Sequence, residues 1–507
     1  MPLKEMTPFR LTETSSAEIR NDRTHVLNLP LGKRVRSGLN WNVSSSLVAE
    51  AIRFARSVVL ARILVPEDFG LFGMALTIVA AVNAVTMFGL DRSIVANKFA
   101  NRDELKTHLD TVWSAGLIRS VVIALLVAAS AFPTSRFYGQ PQLKIIIPIL
   151  GLVSLVQGFQ NIGLVILRKE VSFARIFWYE LATNVAGIAL TVALGLIMRN
   201  VWALVIGLLL TTTVGTILSY VFHSYRPRLS FEKIALRRIL TLGKFALLIA
   251  GASFVMNMAD NVMVGRLLGT SALGNYSLAF NIASAPISVL VFSLSAVLFP
   301  AYAEITAQRP NTLELAFTKV FSIALMIMVT IAVPFFLLAG EVVELLFGAK
   351  WTSAGKVLRV LALVIPLRGL SLIISTFFWG LNRPRDVAVG TTLEAVVFLA
   401  ALYPLITAFG LTGAAWAGII AYSFGSIIRL HALSEIIPGI SARLLRISLL
   451  IFAATGAGLL IGGVGLRFFT SPLLRVIVGG LLSTIIPTVI LLSVKADLRR
   501  WLIEWFS

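Results

Sequence analysis

The chain has 507 residues, of which 57% are hydrophobic and 13% charged. A water-soluble protein carries about a quarter of its residues as charges, so composition excludes that class. The net charge of +20 does not indicate nucleic acid, because Lys and Arg sit in short loops between apolar runs, and the lack of cysteine excludes disulfides, thiol catalysis and Cys-ligated metals.

In chain order, residues 1–38 are polar, without the apolar core of a signal peptide, and predict a cytosolic tail with Lys33, Arg34 and Arg36 anchoring the first span. Apolar runs of about 20 residues, enough to cross a bilayer, then recur. They predict spans at 39–64, 69–90, 111–132, 144–167, 175–198 and 202–222, and again at 242–266, 273–300, 317–338, 357–379, 387–408 and 411–430. A last pair follows at 445–466 and 473–494, for about fourteen in all. The expected fold is an all-α polytopic membrane protein: two six-helix lobes in parallel repeat around a central cavity, plus two extra C-terminal helices. The lobes are expected at 39–222 and 242–431, with a basic cytosolic linker at 223–241, helices 13 and 14 within 445–494, and a cytosolic tail at 495–507.

An even number of spans puts both termini on one side. That side holds roughly thirty Lys and Arg against about ten on the other, so both termini are predicted to be cytosolic. Arg226, Arg228, Lys233, Arg237, Arg238 and Lys244 after span 6 weigh most, and Lys495, Arg499 and Arg500 agree.

Span 1 carries charges inside an apolar run. Glu50, Arg53 and Arg56 share an arc with Asn42, Ser45, Ser46 and Ser57, while Leu47, Val48, Ala51, Phe54, Val58 and Val59 cover the opposite side. A charge near the bilayer centre costs about 2.5–3.5 kcal/mol on insertion scales and usually faces a bundle interior or wet cavity. Gln157, Gln160 and Asn161 in span 4, and Glu180 and Asn184 in span 5, are explained by interhelical hydrogen bonds. Asp91 and Arg92 read as interfacial anchors. In span 7, Ser253, Asn257, Asp260 and Asn261 form a second polar arc, and Arg368 follows Pro366 within span 10.

The two arcs are related. Shifting by 204 residues lays Leu60-Ala61-Arg62-Ile63-Leu64 on Val264-Gly265-Arg266-Leu267-Leu268, Gly70 on Gly274, Arg53 on Asn257 and Arg56 on Asp260. Spans 1 and 7 are six crossings apart and so run in the same direction, as in parallel-repeat transporters. Arg53, Arg56 and Arg368 are candidate contacts for an anion, because guanidinium binds phosphate oxygens in forked, charge-assisted pairs. Glu50, Asp260 and Asn257 are candidates for coupling or gating, with H⁺ or Na⁺ as the ion. The competing structural reading pairs Glu50 with Arg53 at i,i+3, and Arg56 with Asp260 as a clamp between lobes.

There is no G-x-x-x-x-G-K-[ST] phosphate loop, His25, His108, His223 and His431 lack metal-ligand spacing, and no long soluble insertion houses a catalytic region. No enzymatic activity and no cofactor are expected.

Four stretches carry a family resemblance. Val59-Leu60-Ala61-Arg62-Ile63-Leu64-Val65-Pro66-Glu67-Asp68-Phe69-Gly70-Leu71 resembles the "LARxLxPEDFGL" signature of bacterial polysaccharide exporters, the Wzx-type lipid-linked oligosaccharide flippases. Leu167–Phe173, Asp260–Gly269 with Gly274-Asn275-Tyr276, and Leu346-Phe347-Gly348-Ala349-Lys350-Trp351 ("LFGxKW") follow in the same order and spacing. The resemblance covers roughly residues 38–495. It implies a relation to multidrug and lipid II exporters, alternating access, and a cationic cavity carrying an undecaprenyl-diphosphate-linked repeat unit across the bacterial cytoplasmic membrane. It also implies a cation gradient for energy, and a polysaccharide polymerase and export machinery as partners alongside membrane lipid. The alternatives are a cation-coupled multidrug antiporter, a membrane glycan polymerase or ligase, and a non-transporting scaffold.

Overall fold

The computed structural model describes residues 31–86, 102–169, 173–232 and 244–466, and every regular element among them is helical. Span 14, Asp91, Arg92, most of the N-terminal tail and the C-terminal tail lie outside the described residues. The first half comprises α1 (Leu31–Ile63), α2 (Pro66–Val85), α3 (Arg102–Tyr138), α4 (Leu143–Gly158), α5 (Gly163–Lys169), α6 (Phe173–Met198) and α7 (Trp202–Phe222). The second comprises α8 (Lys244–Gln308), α9 (Leu313–Phe347), α10 (Thr352–Gly380), α11 (Pro384–Phe409) and α12 (Leu411–Ile436), with α13 (Ile440–Leu466) beyond it. Nine helices among the described residues are long and apolar enough to cross a bilayer.

Several boundaries differ from those the apolar runs predict. α1 starts at Leu31, so the end of the expected tail is helical. α3 has 37 residues, extending in both directions beyond 111–132. Span 4 divides into α4 and α5 around Asn161, whose side chain accepts the Gly163 N–H at 2.9 Å and donates to the Tyr225 carbonyl at 2.7 Å. Asn is well suited to such local side-chain to backbone bonds, which compete with the helix ladder. The expected spans 7 and 8 form one 65-residue element, α8, broken at Gly269 (φ 86°, ψ −174°). That backbone region is essentially open to glycine alone.

The turn from α1 to α2 follows directly from the local sequence. Pro66 disfavours helix at Val65 and is pre-set for the first position of α2. Asp68 accepts the Val65 N–H at 3.3 Å, closing the new helix start. α2 then packs along α8, with Leu71, Met74 and Ala75 meeting Val264, Leu273 and Tyr276 in a core shared by both lobes. A Cβ on Gly70 would lie 1.9 Å from the Thr270 carbonyl oxygen, and one on Gly274 would lie 1.9 Å from that of Pro66. The 204-residue shift carries Pro66 onto Thr270 and Gly70 onto Gly274, so the contact is reciprocal, as a two-fold axis between the lobes requires.

α13 packs against the second lobe. Its Leu444, Ile447 and Ile451 pack onto a cluster containing Phe317, Phe321, Phe377 and Phe378. Arg443 pairs with Glu314 of α9 along that seam.

Candidate functional site

On α1, Glu50 and Arg53 pair with each other through Arg53 Nε at 3.1 Å and a second, shorter contact. This realises the structural reading of the i,i+3 pair, and Arg53 remains exposed. Arg56, one turn on, is half-buried and has no hydrogen-bond or salt-bridge partner among the described residues. The clamp between Arg56 and Asp260 is not formed.

Asp260 is 2% exposed and accepts the Tyr276 hydroxyl at 2.7 Å and the Asn261 N–H at 2.8 Å. It therefore ties the two limbs of α8 together across the Gly269 break. Its carboxylate is buried among these partners and, in this state, is not open to solvent as a cavity-lining group would be.

Arg368 is drawn to the same part of α8. Its guanidinium donates to Asn257 Oδ1 at 2.7 Å and to Ser284 Oγ at 3.0 Å, and its central carbon lies 5.2 Å from the Phe280 ring centroid. Both acceptors are neutral; the Asp260 carboxylate lies near enough to attract the cation but forms no salt bridge with it. Asn257 in turn donates to the Ser253 carbonyl at 2.6 Å. The structure thus brings Asn257, Asp260 and Arg368 together on the second lobe and leaves Glu50, Arg53 and Arg56 on α1 of the first.

Three intramembrane charges escape a reading confined to polar arcs. Glu394 of α11 and Arg429 of α12 form a buried pair through both carboxylate oxygens, one at 3.0 Å, with Ser371 donating to Glu394 at 3.0 Å. Arg119 of α3 donates to the Thr86 carbonyl at 2.7 Å and to Asn83 Oδ1 at 3.2 Å, closing the end of α2. The rule that singles out Arg368, a charge inside an apolar run, applies equally to all three.

Three of the four family motifs gather elsewhere, where α1 turns into α2; the fourth, at 167–173, does not join them. Gly348 (φ 95°) ends α9, and the 3₁₀ turn Ala349–Trp351 swings Lys350 and Trp351 towards α1. Trp351 donates its indole N–H to the Ala61 carbonyl at 2.9 Å.

The family profile described as "Polysaccharide biosynthesis protein" matches residues 59–356, more than half of the chain. The chain belongs to the polysaccharide biosynthesis protein family. Among its relatives, the succinoglycan biosynthesis transport protein ExoT of Rhizobium meliloti is 26% identical, over 76% of this chain and 80% of that one. The lipopolysaccharide biosynthesis protein WzxC of Escherichia coli is 27% identical, over 68% of this chain and 69% of its own. In fold, the chain resembles the lipid II flippase MurJ in an inward closed conformation, with a TM-score of 0.72 at 15% identity, covering 90% of this chain and 99% of that one. It also resembles an inward-facing multidrug resistance MATE transporter of the MOP superfamily, with a TM-score of 0.61 at 17% identity over 78% and 98% of the two chains. The expected family and the all-α, two-lobed fold are therefore borne out. The matched region begins with the α1–α2 motif and ends just beyond the Lys350–Trp351 turn, so it spans both sides of the contact between lobes.

Proposed function

We propose that this chain flips a lipid-linked oligosaccharide repeat unit, joined to its polyprenyl carrier by a diphosphate, from the cytosolic to the outer leaflet of the cytoplasmic membrane by alternating access. The observation that carries the reading is the pair of cations on opposite lobes. Arg56 is half-buried and unpartnered among the described residues, and Arg368 is held by neutral acceptors alone. A half-buried guanidinium that no carboxylate bridges directly favours an anion, and two of them suit a group with several phosphate oxygens. Arg53 assists with whatever charge Glu50 leaves it.

The glycan crosses in the wet space between lobes while the polyprenyl chain stays in lipid. Asp260, Asn257 and Glu50 are the coupling candidates. Asp260 suits a relay, because movement of one limb of α8 against the other changes its bond to Tyr276, and a proton or Na⁺ would compensate its charge. Both termini are cytosolic in this reading, and the α1–α2 turn faces outward. A drug antiporter would present carboxylates to cationic substrates, whereas Arg56 and Arg368, which form no salt bridge among the described residues, are guanidinium groups.

The test is replacement of both Arg53 and Arg56 by Ala, and separately of Arg368 by Ala, in cells that depend on this gene. Export is expected to fall below detection in the double variant, with lipid-linked units accumulating inside and membrane abundance unchanged. Normal export from either variant refutes that variant's assigned anion contact. Accumulation on the outer face of a deletion strain would instead indicate a polymerase.

A further inference from the structure

The seam between the lobes has a symmetric centre and an asymmetric edge. At the centre, Gly70 crosses Thr270 and Gly274 crosses Pro66, each as the twin of the other. At the edge, Arg62 donates from Nε to the Leu346 carbonyl at 2.8 Å and from its second arm to that of Leu345. Lys350 returns the contact to the Arg62 carbonyl at 3.0 Å and to that of Leu64. Trp351 adds its bond to Ala61, and its ring meets Phe69 edge-on at 5.1 Å.

Among the described residues the twin edge lacks this exchange. The 204-residue shift carries Arg62 onto Arg266, which lies over the Phe137 ring at 5.3 Å, and the neighbouring Tyr138 hydroxyl is buried without a hydrogen-bond partner. One edge is thus fastened by reciprocal polar bonds, and the other rests on ring contacts.

We propose that Arg62, Lys350 and Trp351 form a one-sided latch that holds the extracytoplasmic end shut and must release when the transporter turns outward. All of these bonds end on main-chain carbonyls at the ends of α1 and α9. Helix C-termini attract cations, and the carbonyls freed on opening are ones that water can satisfy. Arg62 and Lys350 are themselves exposed, so water replaces their partners as they leave. The latch is strong enough to bias closure yet reversible in each cycle. The proposal adopts the orientation given above but is independent of what is carried.

Because the chain has no cysteine, Ser57→Cys, more than a turn inward of Arg62 on α1, is a clean reporter in the full-length protein. Intact cells would be treated with a membrane-impermeant maleimide, with membrane abundance measured in parallel. The parent reporter is expected to label slowly, and Arg62→Ala with Lys350→Ala to label at least about fivefold faster, the change expected from losing one net hydrogen bond. Arg266→Ala is expected to stay within about twofold of the parent, the scale of an exposed cation–ring contact. Lys350→Arg, which still donates, is expected to remain near the parent rate. Unchanged labelling in the double variant, or an equal rise with Arg266→Ala, overturns the latch. Fast labelling from outside in the parent overturns the orientation instead.

Discussion

At the scale of single residues, charge placement sorts into three kinds. Glu394 and Arg429 are 2% and 1% exposed and pair through both carboxylate oxygens, leaving Arg429 Nε buried without a partner, between Gly390 and Gly425, which leave room for them. Removing one partner of such a pair costs about 3–5 kcal/mol, because the other charge stays buried. Glu394→Leu alone is expected to lower the thermal midpoint in detergent clearly, and Glu394→Leu with Arg429→Met to recover most of the loss. Glu50 and Arg53 are the second kind, a neighbouring pair with Arg53 47% exposed, worth about 0.2–0.5 kcal/mol. Arg56 is the third, a cation without a counter-ion among the described residues. Transport assays are therefore expected to rank the singles: Arg56→Ala down at least about tenfold, as for loss of a charged hydrogen bond, and Arg53→Ala down less than about threefold. The sequence already marked all three residues of α1 as unusual. It could not separate Arg53 from Arg56, because i,i+3 spacing permits a salt bridge without requiring one. Nor could it show Asp260 to be buried, since its partner Tyr276 lies sixteen residues away across the Gly269 break.

At the scale of elements, two segments are held by local chemistry with measurable consequences. The first is the irregular stretch 223–232 between lobes, expected as part of a basic cytosolic linker at 223–241. It lies along α3, with the Arg228 N–H on Asp110 Oδ1 at 2.8 Å and the Ser230 N–H on Ser114 Oγ at 2.9 Å. At its start, the Tyr225 N–H donates to His223 Nδ1 at 3.1 Å, which requires that nitrogen to be unprotonated. Burial, and then the nearby Arg175 and Arg226, hold the His223 pKa below its ordinary value. A lowered folded-state pKa means that the contact is fully present above about pH 6.5 and is lost as pH falls through the folded value. Amide protection in 223–232, taken relative to intrinsic exchange at each pH, is expected to fall more between about pH 7.5 and 5 in the parent than in His223→Gln; an equal fall would contradict the role of this imidazole. The second is the break in α8. Gly269→Ala forces a side chain into a conformation costing about 1–3 kcal/mol, so a lower thermal midpoint is expected without loss of the α2 contact. The sequence foretold a break between 266 and 273, and the structure places it at Gly269. The split at Asn161 was hidden because an apolar run reads as continuous whether or not a side chain interrupts its backbone ladder.

At the scale of the whole molecule, the duplication is the organising fact. Hydropathy alone suffices to read the crossings, because each must be apolar for its full length in lipid. The crossing of α2 over α8 was legible only as two aligned glycines, and the structure reveals what they permit. Three of the four motifs that identified the family report on this contact between lobes, while the proposed anion contacts carry no such signature. Orientation rests on the distribution of Lys and Arg, and it has a direct check. A C-terminal reporter active only outside the cytosol is expected to stay silent, and strong activity would reverse the topology. Overexpression is also expected to leave resistance to cationic drugs unchanged.

The reciprocal crossing of Gly70 on Thr270 and Gly274 on Pro66 has the form of an isologous interface, the kind a symmetric dimer makes with itself. Here the two subunits are one polypeptide, and the connection between them keeps each at a high effective concentration for the other. A dimer that must open repeatedly risks dissociation, so its seam has to be tight. A concatenated dimer carries no such risk. Its seam is free to be weak, and each copy of the patch is free to change without its twin, which is how one edge acquires polar fastenings that the other never had.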